Sequence, residues 1–210
     1  LHVYFTENLE KDLVIEIMKK RILLITLLIS SISFSQNLLS GQKRWSSVDK
    51  LTVDDYKIKI SDSSNDAIYT QLVISHEAKG FDFFKRNLNQ RVSSIFLRNA
   101  SWIDTTKIKD IHKHIDFQQI QFDLSEIYTR KFRKRLLKNK NKIANGFNVL
   151  NQISNEIMAE FSNERLLLAK ETRRGLNDKK IAEWKEKIAL ELNNLNEFRY
   201  ENKKKIKLTK

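Results

Sequence analysis

The chain has 210 residues, 40% of them hydrophobic and 31% charged, enough apolar material for one packed domain and too ordinary a balance for intrinsic disorder. Its 39 Lys and Arg against 26 Asp and Glu give a formal net charge of +13, which favours anionic partners such as a membrane surface or nucleic acid without specifying a fold. The absence of cysteine excludes disulfides, thiolate metal sites, a cysteine nucleophile and a lipid-anchored N-terminal cysteine.

Proline is also absent, where an average chain of this size carries about ten, so long unbroken helices are permitted. Any metal site must draw on carboxylates and on His2, His76, His112 and His114.

In chain order, the first feature is Met18-Lys19-Lys20-Arg21 followed by "ILLITLLI" and "SSISFSQ". A basic n-region, a short apolar h-region and small residues at Ser33 and Ser35 predict an export signal over 18–35, cut ahead of Gln36. Eight apolar residues fall short of the roughly 20 that span a bilayer, so the mature chain is expected to carry no transmembrane segment. Residues 1–17 precede the signal and read as an upstream extension of the gene model. Export would leave a periplasmic, surface-associated or extracellular protein. Residues 36–49 read as a linker, 50–197 as a single domain and 198–210 as a frayed basic tail.

From Leu51 to Ile103 the pattern is β-like. "YKIKI" alternates, "AIYTQLVISH" is rich in β-branched and aromatic residues, and "VSSIFL" places Val92, Ser94 and Phe96 on one face. "SDSSND" at 61–66 is a polar turn, and "KGFDFFKRNLNQ" fits a loop or a short helix. After Trp102 the period becomes helical. Phe117, Ile120, Leu124, Ile127 and Tyr128 form a stripe that predicts a helix over 109–138.

"KNKNKIANG" interrupts it, and a second helix follows through Phe147, Leu150, Ile153, Ile157 and Phe161 to Lys170. Gly175 then offers a stop and Asn177 or Asp178 an N-cap for a third helix through Ile181, Trp184, Ile188, Leu192 and Leu195. The fold class is α+β: a small antiparallel sheet of about three strands followed by three helices.

Four ordered stretches resemble one bacterial family, the secreted zinc-dependent proteases grouped as domain of unknown function nine hundred and twenty-two. These are "LTVDDYK" with "AIYTQLVIS", "SWI" at 101–103, "FQQIQFDLSEIYTRKFRKRL", and "AKETRRGLNDKKIAEWKEKI". The third is similar to the family's His-Glu-Gln-x-His-Phe-Asp helix and the fourth to its Glu-Thr-x-His-Gly turn and Trp helix. The resemblance covers about 50–195 and implies an exported protein with a zincin-like scaffold.

The same resemblance places the family's first histidine on Phe117, its catalytic glutamate on Gln118, its second histidine on Gln121 and its third on Arg174. Gln119, Phe122, Asp123, Glu126, Tyr128, Arg130, Glu171, Thr172, Gly175 and Trp184 keep the pattern. Zinc is the metal the family implies. Elementary chemistry argues against it in this chain, because Phe117 has no donor, Gln118 has no useful basicity, Gln121 offers a weak neutral carbonyl and Arg174 repels a dication.

No cofactor is therefore expected, and Phe117 is expected to plug the cleft, with Arg174 hydrogen-bonding Gln118 or Gln121. The leading expectation is a non-catalytic binding or structural protein with an unidentified protein ligand.

Two alternatives stay open. His114 lies one turn before Phe117 and Gln118, so a rearranged zinc peptidase could use His114, Gln118 and Asp116 or Glu171. Lys131, Arg133, Lys134, Arg135, Lys138, Lys140 and Lys142 form a basic run without an acid, which suits an anionic envelope surface. No nucleic-acid fold pattern accompanies that run, so nucleic acid is disfavoured. Asp123 and Glu126 point away from the Phe117/Gln121 face and read as structural partners, and His76 as a half-exposed strand residue.

Overall fold

In a computed structural model of the chain, residues 18, 38–58, 67–77, 87–144, 146 and 148–208 are described. The elements below belong to the unit Ser40–Lys210. The export signal beyond Met18 and the 61–66 turn fall outside the described residues, as does most of "KGFDFFKRNLNQ", whose end passes into a 3-10 turn at Asn89–Arg91.

Helix α1, Ile111–Lys138, occupies the centre. It starts where the Asp110 carboxylate accepts the Lys113 amide (3.0 Å), an N-cap that satisfies one orphan donor of the first turn. The sequence predicts an amphipathic helix, yet from Ile120 to Arg130 only Asp123 is not buried. The difference arises because α1 packs on the sheet with one flank and on α3 (Asn148–Glu171) and α4 (Asp178–Asn194) with others, so polar residues on every side must find internal partners. The short helix α2, Lys140–Ala144, bridges α1 and α3 and adds a fourth helix to the expected three.

Strands β1 (Gln42–Arg44), β4 (Val92–Leu97) and β3 (Leu72–His76) form an antiparallel sheet in the order β1-β4-β3. Lys43 pairs with Phe96 and Ile74 with Ser94. Val92, Ser94 and Phe96 all face the core, as their alternation predicts. The Ser94 and Ser125 hydroxyls meet in a buried hydrogen bond, and these small side chains let α1 approach β4 closely.

A second ribbon pairs β2 (Ile68–Tyr69) with β5 (Trp102–Ile103), with the Tyr69 and Trp102 rings stacked at 4.4 Å. "AIYTQLVISH" is therefore two strands that change sheet at the buried Thr70, and "YKIKI" contributes a single bridge from Ile58 to Trp102 among its described residues.

Two segments expected to lie outside the domain belong to it. The 36–49 stretch supplies β1, and Trp45 within it is buried, its indole Nε1 donating to Asp123 Oδ1 (2.6 Å). A three-residue strand is too short to display an alternation. The 198–210 tail is docked over its described part: Asn87 Nδ2 donates to the carbonyls of Asn202 (3.0 Å) and Lys204 (2.6 Å), and Ile206 is buried.

Glu126, 2% exposed, accepts from Arg130 Nε and Arg133 Nη1, each at 2.9 Å. Arg133, 1% exposed, also donates to the carbonyls of Val92 (2.7 Å) and Phe198 (2.8 Å), and Arg130 Nη1 donates to Leu192 O (2.7 Å). Burial lowers the Arg133 pKa, and the Glu126 carboxylate beside it opposes that fall. Asp123 and Glu126 are thus structural partners, as their helix positions predict.

A second buried ion cluster ties β1 to the "LTVDDYK" segment. Lys43 Nζ donates to Asp55 Oδ2 (2.9 Å), Asp49 Oδ1 (2.9 Å) and Lys50 O (2.8 Å), and Arg98 Nη2 lies 2.7 Å from Asp55 Oδ1. Burial raises the Asp55 pKa, but the Lys43 and Thr52 hydrogen bonds and the charges of Lys43 and Arg98 together hold it below the ordinary value. A depressed native pKa contributes stability above the unfolded-state value, about 3.9, and loses it as pH falls through the native value. D55N should therefore destabilise the protein by about 2 kcal/mol at pH 7, with the difference from wild type closing below about pH 4, as measured by urea unfolding across that range.

Candidate functional site

Helical spacing places His114, Phe117, Gln118 and Gln121 on one flank of α1, and the fold sets this flank opposite Arg165 and Ala169 of α3. Together with Arg173, Arg174, Leu176 and residues 67–70 they line an open groove of about 500 Å³. The four positions singled out in the sequence, Phe117, Gln118, Gln121 and Arg174, thus meet around one groove although Arg174 lies more than fifty residues further along the chain.

Gln121 Nε2 donates to Gln118 Oε1 (2.6 Å). The acceptor side of Gln121 is taken by Arg165, whose Nε donates to Gln121 Oε1 (2.7 Å) while its Nη2 donates to Thr70 O (3.1 Å). Arg165 thus bonds the glutamine pair through Gln121 Oε1, a contact that the sequence reading does not name. Arg174 is exposed on the rim. A signal for Arg165 was present: it continues the α3 stripe of Ile157 and Phe161 toward Leu168, and a charge on a buried stripe requires an internal partner.

Phe117 is buried, as expected of it, but it forms part of the groove wall and the cleft remains open. Its position is fixed by the turn between α3 and α4. Arg173, Arg174 and Gly175 take φ values of 51°, 55° and 95°, reversing the chain. Arg174 N donates to Ala169 O (2.8 Å) and Asn177 N to Thr172 O (2.9 Å). Thr172 Oγ1 donates to Leu168 O (2.6 Å), Glu171 Oε2 accepts Trp184 Nε1 (2.9 Å), and Asn177 caps α4 through the Lys180 amide. The bare Cα of Gly175 lies against the Phe117 ring, where a Cβ would come within 2.9 Å of Phe117 Cβ.

The donor set does not suit the zinc that the resemblance implies. Phe117 offers no ligand atom, both glutamine oxygens already accept hydrogen bonds, and the guanidinium groups of Arg165, Arg173 and Arg174 line the same space. His114 reaches the groove, with its Nδ1 at 2.8 Å from Asp110 O. The carboxylates considered as its companions are engaged elsewhere, Asp116 with Lys185 Nζ (3.1 Å) and Glu171 with Trp184. Among the described residues no three His, Asp or Glu side chains gather closely enough to hold a metal. His112 is exposed, and His76 is half-buried with its ring edge-on to Phe132 at 5.6 Å.

The basic run 131–142 does not form one cationic face. Arg133 is in the core, Lys131 Nζ pairs with Glu191 (2.7 Å), Arg135 pairs with Glu160 (2.8 Å), and Lys134 lies 6.0 Å over the Phe198 ring. Lys140 is partly buried, and Lys138 and Lys142 alone of the seven are exposed. Consecutive helical residues point in different directions, so a linear charge run need not become a patch. Among the described residues no helix is long and apolar enough to cross a membrane.

Comparison with family models, curated proteins and solved structures finds no match to this chain. The site geometry makes Gly175 sensitive on two grounds, its positive φ and its contact with Phe117. G175A should lower stability by about 1–3 kcal/mol, measured by denaturant unfolding, whereas G146A, with no atom within 4 Å of the added Cβ, should change stability by less than about 0.5 kcal/mol.

Proposed function

We propose that the chain is an exported, non-catalytic binding protein on a zincin-like scaffold in which the metal and catalytic positions have been replaced, and that the groove beside Gln118 and Gln121 is its binding site. The observation that carries this reading is the convergence of Phe117, Gln118, Gln121 and Arg174 on that groove. Residues that keep the family pattern also have packing or capping duties. The Gln119 side chain accepts the Leu51 amide (2.7 Å) and donates to Asp123 (2.7 Å), Glu126 anchors two arginines, and Glu171 holds Trp184. Such duties persist when chemistry is lost, because they stabilise the fold whether or not a metal is bound.

Metal analysis and a peptide-hydrolysis assay on the purified protein test the reading. The wild type should carry substoichiometric zinc and show no chelator-sensitive hydrolysis. The combined variant F117H/Q118E/Q121H/R174H should gain stoichiometric zinc, since two histidines at i and i+4 with a third from the turn supply the usual three ligands. Stoichiometric zinc with chelator-sensitive turnover in the wild type would overturn the non-catalytic reading. A folded combined variant that binds no zinc would reject the scaffold.

A further inference from the structure

The Arg165 guanidinium is held along one edge only. Its Nε and Nη2 are engaged by Gln121 Oε1 and Thr70 O, whereas Nη1 makes no hydrogen bond among the described residues. The buried side-chain nitrogens without a partner there are Arg44 Nε and Arg98 Nε, so Nη1 of the partly buried Arg165 meets the solvent of the groove. Arg165 also has no carboxylate partner among the described residues. Burial pushes its pKa down, with Tyr69 the neighbouring group that opposes the fall.

A partly desolvated cation without a counter-ion is costly, and here the cost comes with preorganisation. Hydrogen bonds on the inner edge fix the plane of the guanidinium, leaving its end edge as a two-donor fork. Such a fork matches the two oxygens of a carboxylate.

The rest of the lining agrees. His114, Arg173 and Arg174 add basic groups, no acidic side chain lines the groove among the described residues, and Ile68, Phe117 and Leu176 give it apolar walls. We infer that the groove binds a carboxylate carried beside an apolar side chain, the chemistry of a peptide's C-terminal residue, with the end edge of Arg165 as the carboxylate fork. This inference rests on the reading of the groove as a binding site, but not on the lineage of the scaffold. Apolar walls favour a peptide terminus over a bare oxyanion, which would leave them wet.

Isothermal titration calorimetry of the full chain tests it, with acetyl-Ala-Ala-Leu and acetyl-Ala-Ala-Phe as free acids, the same peptides as C-terminal amides, and inorganic phosphate. The free acids should bind saturably at one site, and the amides should bind at least about tenfold more weakly, the scale of one lost charge-assisted hydrogen bond. R165Q should match the amide loss, and R165K, which keeps the charge without the fork, should fall between it and wild type. Circular dichroism and the unfolding midpoint of each variant show whether it folds, and the acid-to-amide comparison needs no variant.

Equal binding of acid and amide, no binding of either acid up to about 10 mM, or saturation by phosphate that neither acid displaces would overturn the inference while leaving the non-catalytic reading standing. Zinc-dependent cleavage of the same peptides would overturn that reading while leaving the preference for a free carboxylate intact.

Discussion

The placement of α1 depends on the buried carboxylate of Glu126. Two guanidinium groups converge on one of its oxygens, and through them α1 is tied to β4 at Val92, to the end of α4 at Leu192 and to the segment after α4 at Phe198. A charge this deeply buried is tolerated only when paired and fully hydrogen-bonded. Removing one partner of such an arrangement typically costs about 3–5 kcal/mol. The network thus fixes both the depth and the rotation of the central helix, because few settings of α1 bring Glu126, Arg130 and Arg133 to all of these acceptors together.

Rotation is what matters for the groove. Gln121 lies five residues before Glu126, roughly 140° around the helix, so turning Glu126 toward the sheet side turns the glutamine flank toward α3. There Arg165 supplies the donor that Gln121 Oε1 needs, and the tight turn at Arg173–Gly175 brings the backbone against Phe117. Buried polar residues specify both the core and the groove wall. In the first the cations meet a carboxylate; in the second the guanidinium of Arg165 has, among the described residues, only backbone and amide oxygens as hydrogen-bond partners.

Much of this was legible in the sequence, for identifiable reasons. Long helical periods located α1, α3 and α4 to within a few residues, and Asn177 marked the start of α4 because a side-chain oxygen is needed at an N-cap. The residues of the groove could be grouped because Phe117, Gln118 and Gln121 share a helix flank. What stayed hidden depended on long-range partners. The basic run 131–142 read as a surface patch because its acids, Glu126, Glu160 and Glu191, arrive from other turns and other helices. β1 was too short to announce itself, and although the place of Arg165 on the α3 stripe calls for an internal partner, helical spacing does not say that the partners are Thr70 and Gln121.

The claim that the groove is organised around Arg165 is tested most directly by side-chain hydrogen exchange of arginine Nε–H groups in nitrogen-15 NMR. If Gln121 Oε1 accepts the Arg165 Nε–H, that hydrogen exchanges well over tenfold more slowly than the Nε–H of the exposed Arg173, by roughly the protection expected of a hydrogen bond in a partly desolvated site. Q121L should abolish the difference. Exchange of the Arg165 Nε–H in the wild type as fast as that of Arg173 would contradict the account.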